Sequence, residues 1–541
     1  MSDGSFHIPR PDNEPVCQYE PGNPRRTSLQ KTMDRMASEK IDIPLVIGGR
    51  EIRTGRTRKV TMPHDHGHVL AEFHLAGPEE HKLATQAALK AQKDWERLSW
   101  NDRLSVFLKA AEMLRGPWRD ILNGSTMLGQ SKNCFQAEVD SACELIDFFK
   151  FNPHYYREML ETQPYSPEGV WNRMDYRPLE GFVAAITPFN FTAIGGNLPT
   201  CPAMAGNVAV WKPSDTQMLS AWYTMKLLEA AGLPPGVVNL VGADGPEFGQ
   251  TVLTQPELAG VHFTGSTGTF QWIWKTVGEN IARYRSYPRI VGETGGKDFI
   301  FAHPSSEWES LAVAIARGSF EYQGQKCSAA SRVYVPKSIW PRVRERLAAD
   351  LKSMKMGDVR DFGNFINAVI DERAFNKISG YIEGAKRSSD EKVVLGGKCD
   401  RSKGWFIEPT VIETTNPKAK TMCDEIFGPV VTVYPYDDNK WEEVLQTCEG
   451  TSAYALTGAL FSQDRAVMAR MTETVKHAAG NLYLNDKPTG AVVGQNPFGG
   501  GRASGTNDKA GAHFNVLRWV SPRSIKESFH APRDYRYPFL G

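Results

Sequence analysis

Disulfide and zinc-ribbon frameworks are missing from this chain. Its eight cysteines are scattered, with no C-x-x-C pair, a pattern that suits a reducing compartment. Long apolar runs are missing too. No stretch of about 18 apolar residues occurs, so no membrane-spanning helix is expected. Neither sign of charge dominates: 63 Lys and Arg stand against 62 Asp and Glu, for a formal net charge of +1. That argues against bulk electrostatic binding to nucleic acid or to an anionic membrane. The opening M-S-D-G-S-F-H-I-P-R-P-D-N-E-P has neither the apolar core of a secretory signal nor the Arg-rich, acid-poor make-up of a transit peptide. There is no G-x-G-x-x-G fingerprint, no internal repeat and no low-complexity segment.

What is present is ordinary globular composition, 41% hydrophobic and 23% charged over 541 residues, enough for two to four domains. Residues 1–40 are polar and proline-rich, then briefly helical, and read as an arm lying on the body. In H-D-H-G-H (64–68) the histidines alternate as metal ligands on one strand face would, but Gly67 favours a polar turn. No carboxylate or cysteine cluster completes a metal site there, so no metal is expected. From 78 to 149 apolar residues recur at helical spacing, and a further helix over 136–151 contains Glu144. Residues 162–180, rich in Pro, Tyr and Trp, read as an extended hairpin that joins another subunit.

The clearest order comes next. Strands are predicted at 182–186, 208–211, 237–241, 258–263 and 289–292, with helices between them at 216–231, 247–253 and 270–281. This alternation implies right-handed crossovers and a doubly wound parallel sheet, which binds ligands at the carboxyl ends of its strands. Asn190, Lys212, Gly265-Ser266 and Glu293 fall at those ends. F-T-G-S-T-G-T-F (263–270) opens a helix, where the backbone N–H groups of Gly265 and Ser266 would face a phosphate. The pattern then restarts as a second α/β unit, with a strand at 299–302 and a helix at 311–322. A strand at 430–434 follows a loop holding Glu425 and Phe427. The glycine-rich loop 489–505 is expected to be well exposed, and the tail 518–541 has no clear period.

Within the second unit, E-Y-Q-G-Q-K-C-S-A-A-S-R-V-Y-V-P (321–336) places Cys327 in a turn between the helix and the apolar run 333–335. A thiol with the ordinary pKa of about 8.5 is only about 3% thiolate at neutral pH. A nucleophilic Cys327 therefore needs a base or a positive field. Glu293 could be the base. The side-chain amide of Asn190 and the backbone N–H of Cys327 could hold an oxyanion, and Lys212 with the Gly265 turn could meet a nucleotide.

The stretches P-F-N (188–190), W-K-P-S-D (211–215), F-T-G-S (263–266), E-T-G-G-K (293–297), G-Q-K-C (324–327) and E-I-F-G-P-V (425–430) resemble the aldehyde dehydrogenase superfamily over roughly residues 44–529. N-E-P-V, A-E-V-D-S-A-C-E-L-I-D-F-F, F-E-Y-Q-G-Q-K-C-S-A and T-G-A-V-V-G-Q-N-P-F-G-G narrow the resemblance to its branch acting on pyrroline-5-carboxylate. The resemblance implies an α/β fold with a Rossmann-type NAD domain (41–161 and 182–293) and a second, catalytic α/β domain (294–511). The arm (1–40) and oligomerisation segments (162–181 and 512–541) complete it. It implies Cys327 as nucleophile, Glu293 as general base and Asn190 as oxyanion donor. Lys212, Ser214, Gly265, Ser266, Glu425 and Phe427 would hold NAD, with NADP a weaker alternative. Glu144 would take a substrate ammonium, Ser328, Gly490 and Ala491 its carboxylate, and Phe191 and Phe498 would flank its aliphatic chain. Phe270 departs from the pattern where many members have glycine, and Ala491 where some have serine.

The implied reaction is NAD-dependent oxidation of glutamate γ-semialdehyde to glutamate, the second step of proline catabolism. It would be carried by a monofunctional homodimer or higher homo-oligomer, with a proline dehydrogenase as candidate partner. The expected location is cytoplasmic, or the mitochondrial matrix for a eukaryotic chain whose transit peptide has been removed. Two other readings stay open. One is a dehydrogenase for another semialdehyde, such as succinate or methylmalonate semialdehyde; the other is a non-catalytic structural relative.

Overall fold

The computed structural model describes residues 6–541; the first five residues of the arm lie outside the described residues. Two seven-stranded sheets dominate the fold. In the first, the parallel strands run in the order Arg289–Glu293, Leu258–Thr264, Phe182–Ile186, Val208–Lys212, Val238–Leu240. The short strands Leu45–Ile47 and Arg50–Ile52 extend that edge antiparallel. Runs such as F-V-A-A-I are apolar at every position because helices cover both faces, which puts successive side chains into two separate cores. From Phe182–Ile186 the chain winds outward through two strands, then returns to the other side at Leu258–Thr264. This reversal opens a crevice beyond the strand ends.

The second sheet has the order Glu391–Leu395, Thr410–Thr414, Val430–Tyr436, Ala330–Pro336, Asp298–Ala302, Thr457–Phe461, Asn481–Leu484. Only its first strand is antiparallel to its neighbour. At the end of the first sheet, Glu293 forms an isolated antiparallel bridge to Gly505 of the loop 489–505.

Several elements differ from the expectations of sequence. The helix predicted at 270–281 is Thr267–Glu279, because Ser266 caps it by accepting from the Thr269 N–H. The helix predicted at 216–231 begins as the 3₁₀ turn Asp215–Gln217 and continues as Met218–Ala231. The single helix 136–151 is three pieces: Cys134–Ala137, a π-helical turn Glu138–Cys143, and Glu144–Leu160 with Pro153 inside it. Residues 162–180 form no hairpin of their own. They supply one strand, Val170–Pro178, whose antiparallel partner is Val520–Ser528 from the tail.

The loop 489–505 is exposed only in part. Thr489, Val493 and Ser504 are buried where it folds over the centre of the molecule. The histidine run turns at residues 63–64, and its rings take three different partners. His64 is buried near Asp358, the His66 ring lies tilted against Trp405 with centroids 4.5 Å apart, and His68 meets the Ala37 carbonyl at 2.9 Å. Among the described residues no group of three His, Cys, Asp or Glu side chains is arranged to hold a metal.

Candidate active site

The helix Trp308–Phe320 passes into the 3₁₀ turn Glu321–Gly324, in which Tyr322, Gln323 and Gly324 all have positive φ (50°, 53° and 63°). Two of the three are not glycine, so the turn is strained and needs outside support. The side chains of Y-Q-G-Q supply it. The Tyr322 hydroxyl donates to the Gln130 carbonyl at 2.8 Å. Gln323 donates to the carbonyls of Ser131 and Ala368 at 3.0 and 2.9 Å and accepts from the Asn367 N–H. Gln325 accepts from the Ile370 N–H at 2.8 Å. A side chain at Gly324 would lie 2.2 Å from the Gly428 carbonyl oxygen. Cys327 is therefore held in a fixed turn at the N-terminal end of Ala330–Pro336.

Cys327 borders two cavities at once. The first, of about 640 Å³, lies along the crevice of the first sheet. Lys212, Ser214, Gly265, Ser266, Glu425 and Phe427 all line it, as does Asn190. The second, of about 280 Å³, is the smaller; Glu144, Phe191, Ser328, Gly490, Ala491 and Phe498 all line it. A larger hollow of about 1180 Å³ lies elsewhere, beside Tyr176 and Arg289, and contains none of these groups.

One N–H of Asn190 donates to the Gln325 carbonyl at 3.0 Å, which fixes the amide beside Cys327 and leaves its second N–H for a ligand. Glu425 accepts from the Gly296 N–H at 2.9 Å. A side chain at Gly295 would fall 2.5 Å from the same carboxylate, so only glycine leaves room for it there. The Gly265 N–H does not face the groove as expected. It donates to the Glu293 carbonyl at 3.2 Å, which closes the turn. Any phosphate contact then falls to the helix end capped by Ser266. Phe270, in place of the usual glycine, turns inward. It stacks on Phe263 with centroids 5.4 Å apart and fills the space above Gly292.

Glu293 is the one member of the predicted set that lines neither cavity. Its carboxylate accepts from the Gly500 N–H at 3.2 Å, and a side chain at Gly499 or Gly505 would come within 3.0 Å of it. Burial holds its carboxyl well above the usual carboxylate range. To meet a water next to Cys327, the side chain must rotate out of this glycine cradle.

Burial also pushes the Cys327 thiol well above its ordinary value. The nearby carboxylates of Asp298, Glu293 and Glu425 add to the effect, and its own backbone N–H opposes it. A raised pKa means less thiolate at every pH, so alkylation of Cys327 by iodoacetamide in the ligand-free protein should keep accelerating above pH ~9, past the ordinary thiol range. Mass spectrometry of the modified peptide between pH ~6 and ~10 checks this; a plateau by pH ~8 contradicts it.

In the smaller cavity, Ser328 shares a 2.7 Å hydrogen bond with Thr489. Glu144 makes no side-chain hydrogen bond among the described residues. Burial and neighbouring Asp140 hold its carboxyl well above the usual range, while Lys132 opposes them.

Sequence reasoning missed several parts of this cavity. Lys326 lines it, 3.8 Å from Asp140 and 3.5 Å from Glu321. Behind the wall, Lys132 lies 2.5 Å from Asp140 and 4.2 Å from the centre of the Phe191 ring. Asn13 and Glu14 of the arm are also in its wall. The positive charge in K-C-S was visible as a neighbour of the thiol, but no spacing rule links residue 13 to residue 327.

Residues 51–524 match the model of the aldehyde dehydrogenase family. The mitochondrial delta-1-pyrroline-5-carboxylate dehydrogenase of Dictyostelium discoideum is 50% identical over 537 residues, covering 99% of this chain and 96% of that one. The human mitochondrial protein of the same name is 48% identical over 529 residues, 98% of this chain and 94% of its own. The crystal structure of the Mycobacterium tuberculosis delta-pyrroline-5-carboxylate dehydrogenase bound with NAD superposes with a TM-score of 0.97 at 50% identity, covering 100% of both chains. The chain belongs to the aldehyde dehydrogenase family.

Proposed function

We propose that the protein oxidises L-glutamate γ-semialdehyde, the open form of 1-pyrroline-5-carboxylate, to L-glutamate with NAD+, the second step of proline breakdown. The observation that carries this reading is the position of Cys327 at the junction of a nucleotide-sized groove and a smaller cavity. Relatives near 50% identity that bear the name of this activity support it.

The groove's donors fit a dinucleotide. Lys212 and Ser214 suit the adenosine ribose, the helix end at Ser266 the diphosphate, and Glu425 with Phe427 the nicotinamide end. When bound, NAD+ supplies the hydride acceptor. The chain's own residues do the rest. Cys327 adds to the aldehyde carbon, and its proton must leave as the C–S bond forms. The free N–H of Asn190 and the backbone N–H of Cys327 stabilise the oxyanion of the thiohemiacetal. After hydride loss leaves a thioester, Glu293 accepts a proton from the water that cleaves it and frees the acid. A phosphate on the adenosine ribose would distinguish NADP, the weaker fit in this reading.

In the small cavity, an arriving ammonium supplies the counter-charge that Glu144 lacks. Ser328 and the loop at Gly490-Ala491 suit the α-carboxylate, helped by the positive field of Lys326. The chemistry is that of a small-molecule enzyme, and among the described residues no helix is long and apolar enough to cross a membrane. The two-stranded ribbon 170–178 and 520–528, with exposed Trp171 and Phe529, supports assembly into a homo-oligomer. A proline-oxidising flavoenzyme, whose product is 1-pyrroline-5-carboxylate, is the candidate partner that would supply the substrate.

The test is a panel of semialdehydes followed by NADH absorbance. Glu144→Ala should lower kcat/KM for glutamate γ-semialdehyde by roughly 10- to 150-fold, the value of a charge-assisted contact of about 1.5–3 kcal/mol. Succinate and glutarate semialdehydes, which lack the amine, should lose little. Equal losses across the panel would reject the ammonium contact, and a wild-type preference for succinate semialdehyde would reject the substrate.

A further inference from the structure

The N-terminal arm reaches the aldehyde cavity. Residues 12–19 have no regular secondary structure, yet buried or half-buried carboxylates tie them down in turn. The Asn13 amide donates to Asp147 Oδ2 and to the Val493 carbonyl, each at 2.8 Å. Its oxygen accepts from Gln495 at 2.8 Å. The next backbone N–H, of Glu14, donates to the other oxygen of Asp147 at 2.8 Å. Glu14 then receives Arg119 at 2.8 Å and Arg115 at 2.9 Å. Beyond it, the Cys17 N–H and the Tyr19 hydroxyl both donate to Glu138, at 3.0 and 2.8 Å.

The two elements joined by Asn13 are the ones that matter for the aldehyde. Asp147 lies one turn beyond Glu144 on the helix Glu144–Leu160. Val493 and Gln495 lie in the loop that carries Gly490 and Ala491. Asn13, Glu14 and Val16 themselves form part of the cavity wall. A loop rich in glycine has many conformations to lose on ordering. A single side chain that uses both its donor and its acceptor side to hold such a loop fixes where its backbone N–H groups point.

We propose that Asn13 is a positioning residue for the substrate. The arm acts as a strap that holds the loop 489–496 against Glu144–Leu160, so that the carboxylate and ammonium contacts stand at the right separation. The inference rests on the reading of the small cavity given above.

Its test is the full-length Asn13→Ala variant, with Asn13→Asp as a second that sets a carboxylate against Asp147. The expected result is a KM for glutamate γ-semialdehyde about tenfold higher, with kcat close to wild type. The KM for propanal, which has neither carboxylate nor amine, should not change. Hydrogen exchange over residues 489–496 should accelerate, with unfolding temperature little altered; in Asn13→Asp the exchange effect should be larger. An unchanged semialdehyde KM, or an equal loss for propanal, overturns the proposal. If the wild type fails to oxidise the semialdehyde at all, the substrate reading falls. The exchange rates then decide the strap by themselves, and unchanged protection of 489–496 refutes it.

Discussion

Cys327→Ser is expected to lower aldehyde oxidation by at least about 10⁴-fold, the scale of losses when a nucleophile is removed, while NAD+ still binds. Serine keeps the size and the backbone donor, but its hydroxyl is far harder to ionise, and the surroundings work against an anion. Burial, with the carboxylates of Asp298, Glu293 and Glu425, already raises the thiol. Of the other cysteines, Cys399 is exposed, Cys17, Cys134 and Cys423 are partly buried, and Cys143, Cys201 and Cys448 are buried; none of the seven borders either cavity except Cys143, which lines the smaller one. NAD+ affinity measured by calorimetry, beside turnover measured as NADH formation, separates loss of chemistry from loss of fold. Substantial turnover in the variant would remove Cys327 from the mechanism.

Glu293→Gln is expected to produce a burst of NADH followed by turnover slowed about 10²- to 10⁴-fold, the usual contribution of a positioned base. Glutamine can still accept from the Gly500 N–H, so the resting cradle survives; what is lost is the ability to take a proton from water. In the proposed role the carboxylate would work deprotonated, and its pKa is raised by burial. Wild-type thioester hydrolysis should therefore be present above that raised value and fall away as pH drops through it, and the glutamine variant should lack this limb. Rapid mixing followed by pH-dependent steady-state rates measures both. Hydride transfer slowed as much as hydrolysis, with no burst, would mean that Glu293 acts before the thioester forms.

The alternating strands and helices of residues 182–293 were legible because strands buried on both faces read as unbroken apolar runs, and glycine and proline punctuate the helices between them. With the strands so placed, Asn190, Lys212 and Glu293 could be seen to fall at their ends, which periodicity alone would not require. Val520–Ser528 was not legible. Its sequence V-S-P-R-S-I-K-E-S has too few apolar residues to show a period, because most of its side chains face solvent and its order comes from a partner strand far away in the chain. The π-helical turn before Glu144 was hidden for another reason. Glu138 there is tied to Arg119, Asn123 and Tyr19, a tertiary demand that helical spacing does not record. The loop 489–505 was read as exposed from its glycines. Those glycines instead leave room for close approach, at Gly499 and Gly500 to Glu293 and at Gly494 to Phe151.

The small cavity is sewn together from the two ends of the chain, and this bears on how the protein is made. The Asn13 bond to Val493 spans 480 residues, and the Glu293 bond to Gly500 spans 207. As the chain leaves the ribosome, the strands around the nucleotide groove can pair as soon as residue 293 has emerged. The turn that presents Cys327 follows soon after. The strap must then wait, tied to its helix, until the loop at 493 arrives, and Glu293 waits longer still for its cradle. A nascent or prematurely terminated chain thus carries Glu293 and the thiol before it carries the glycine cradle of the one and the loop that walls in the other.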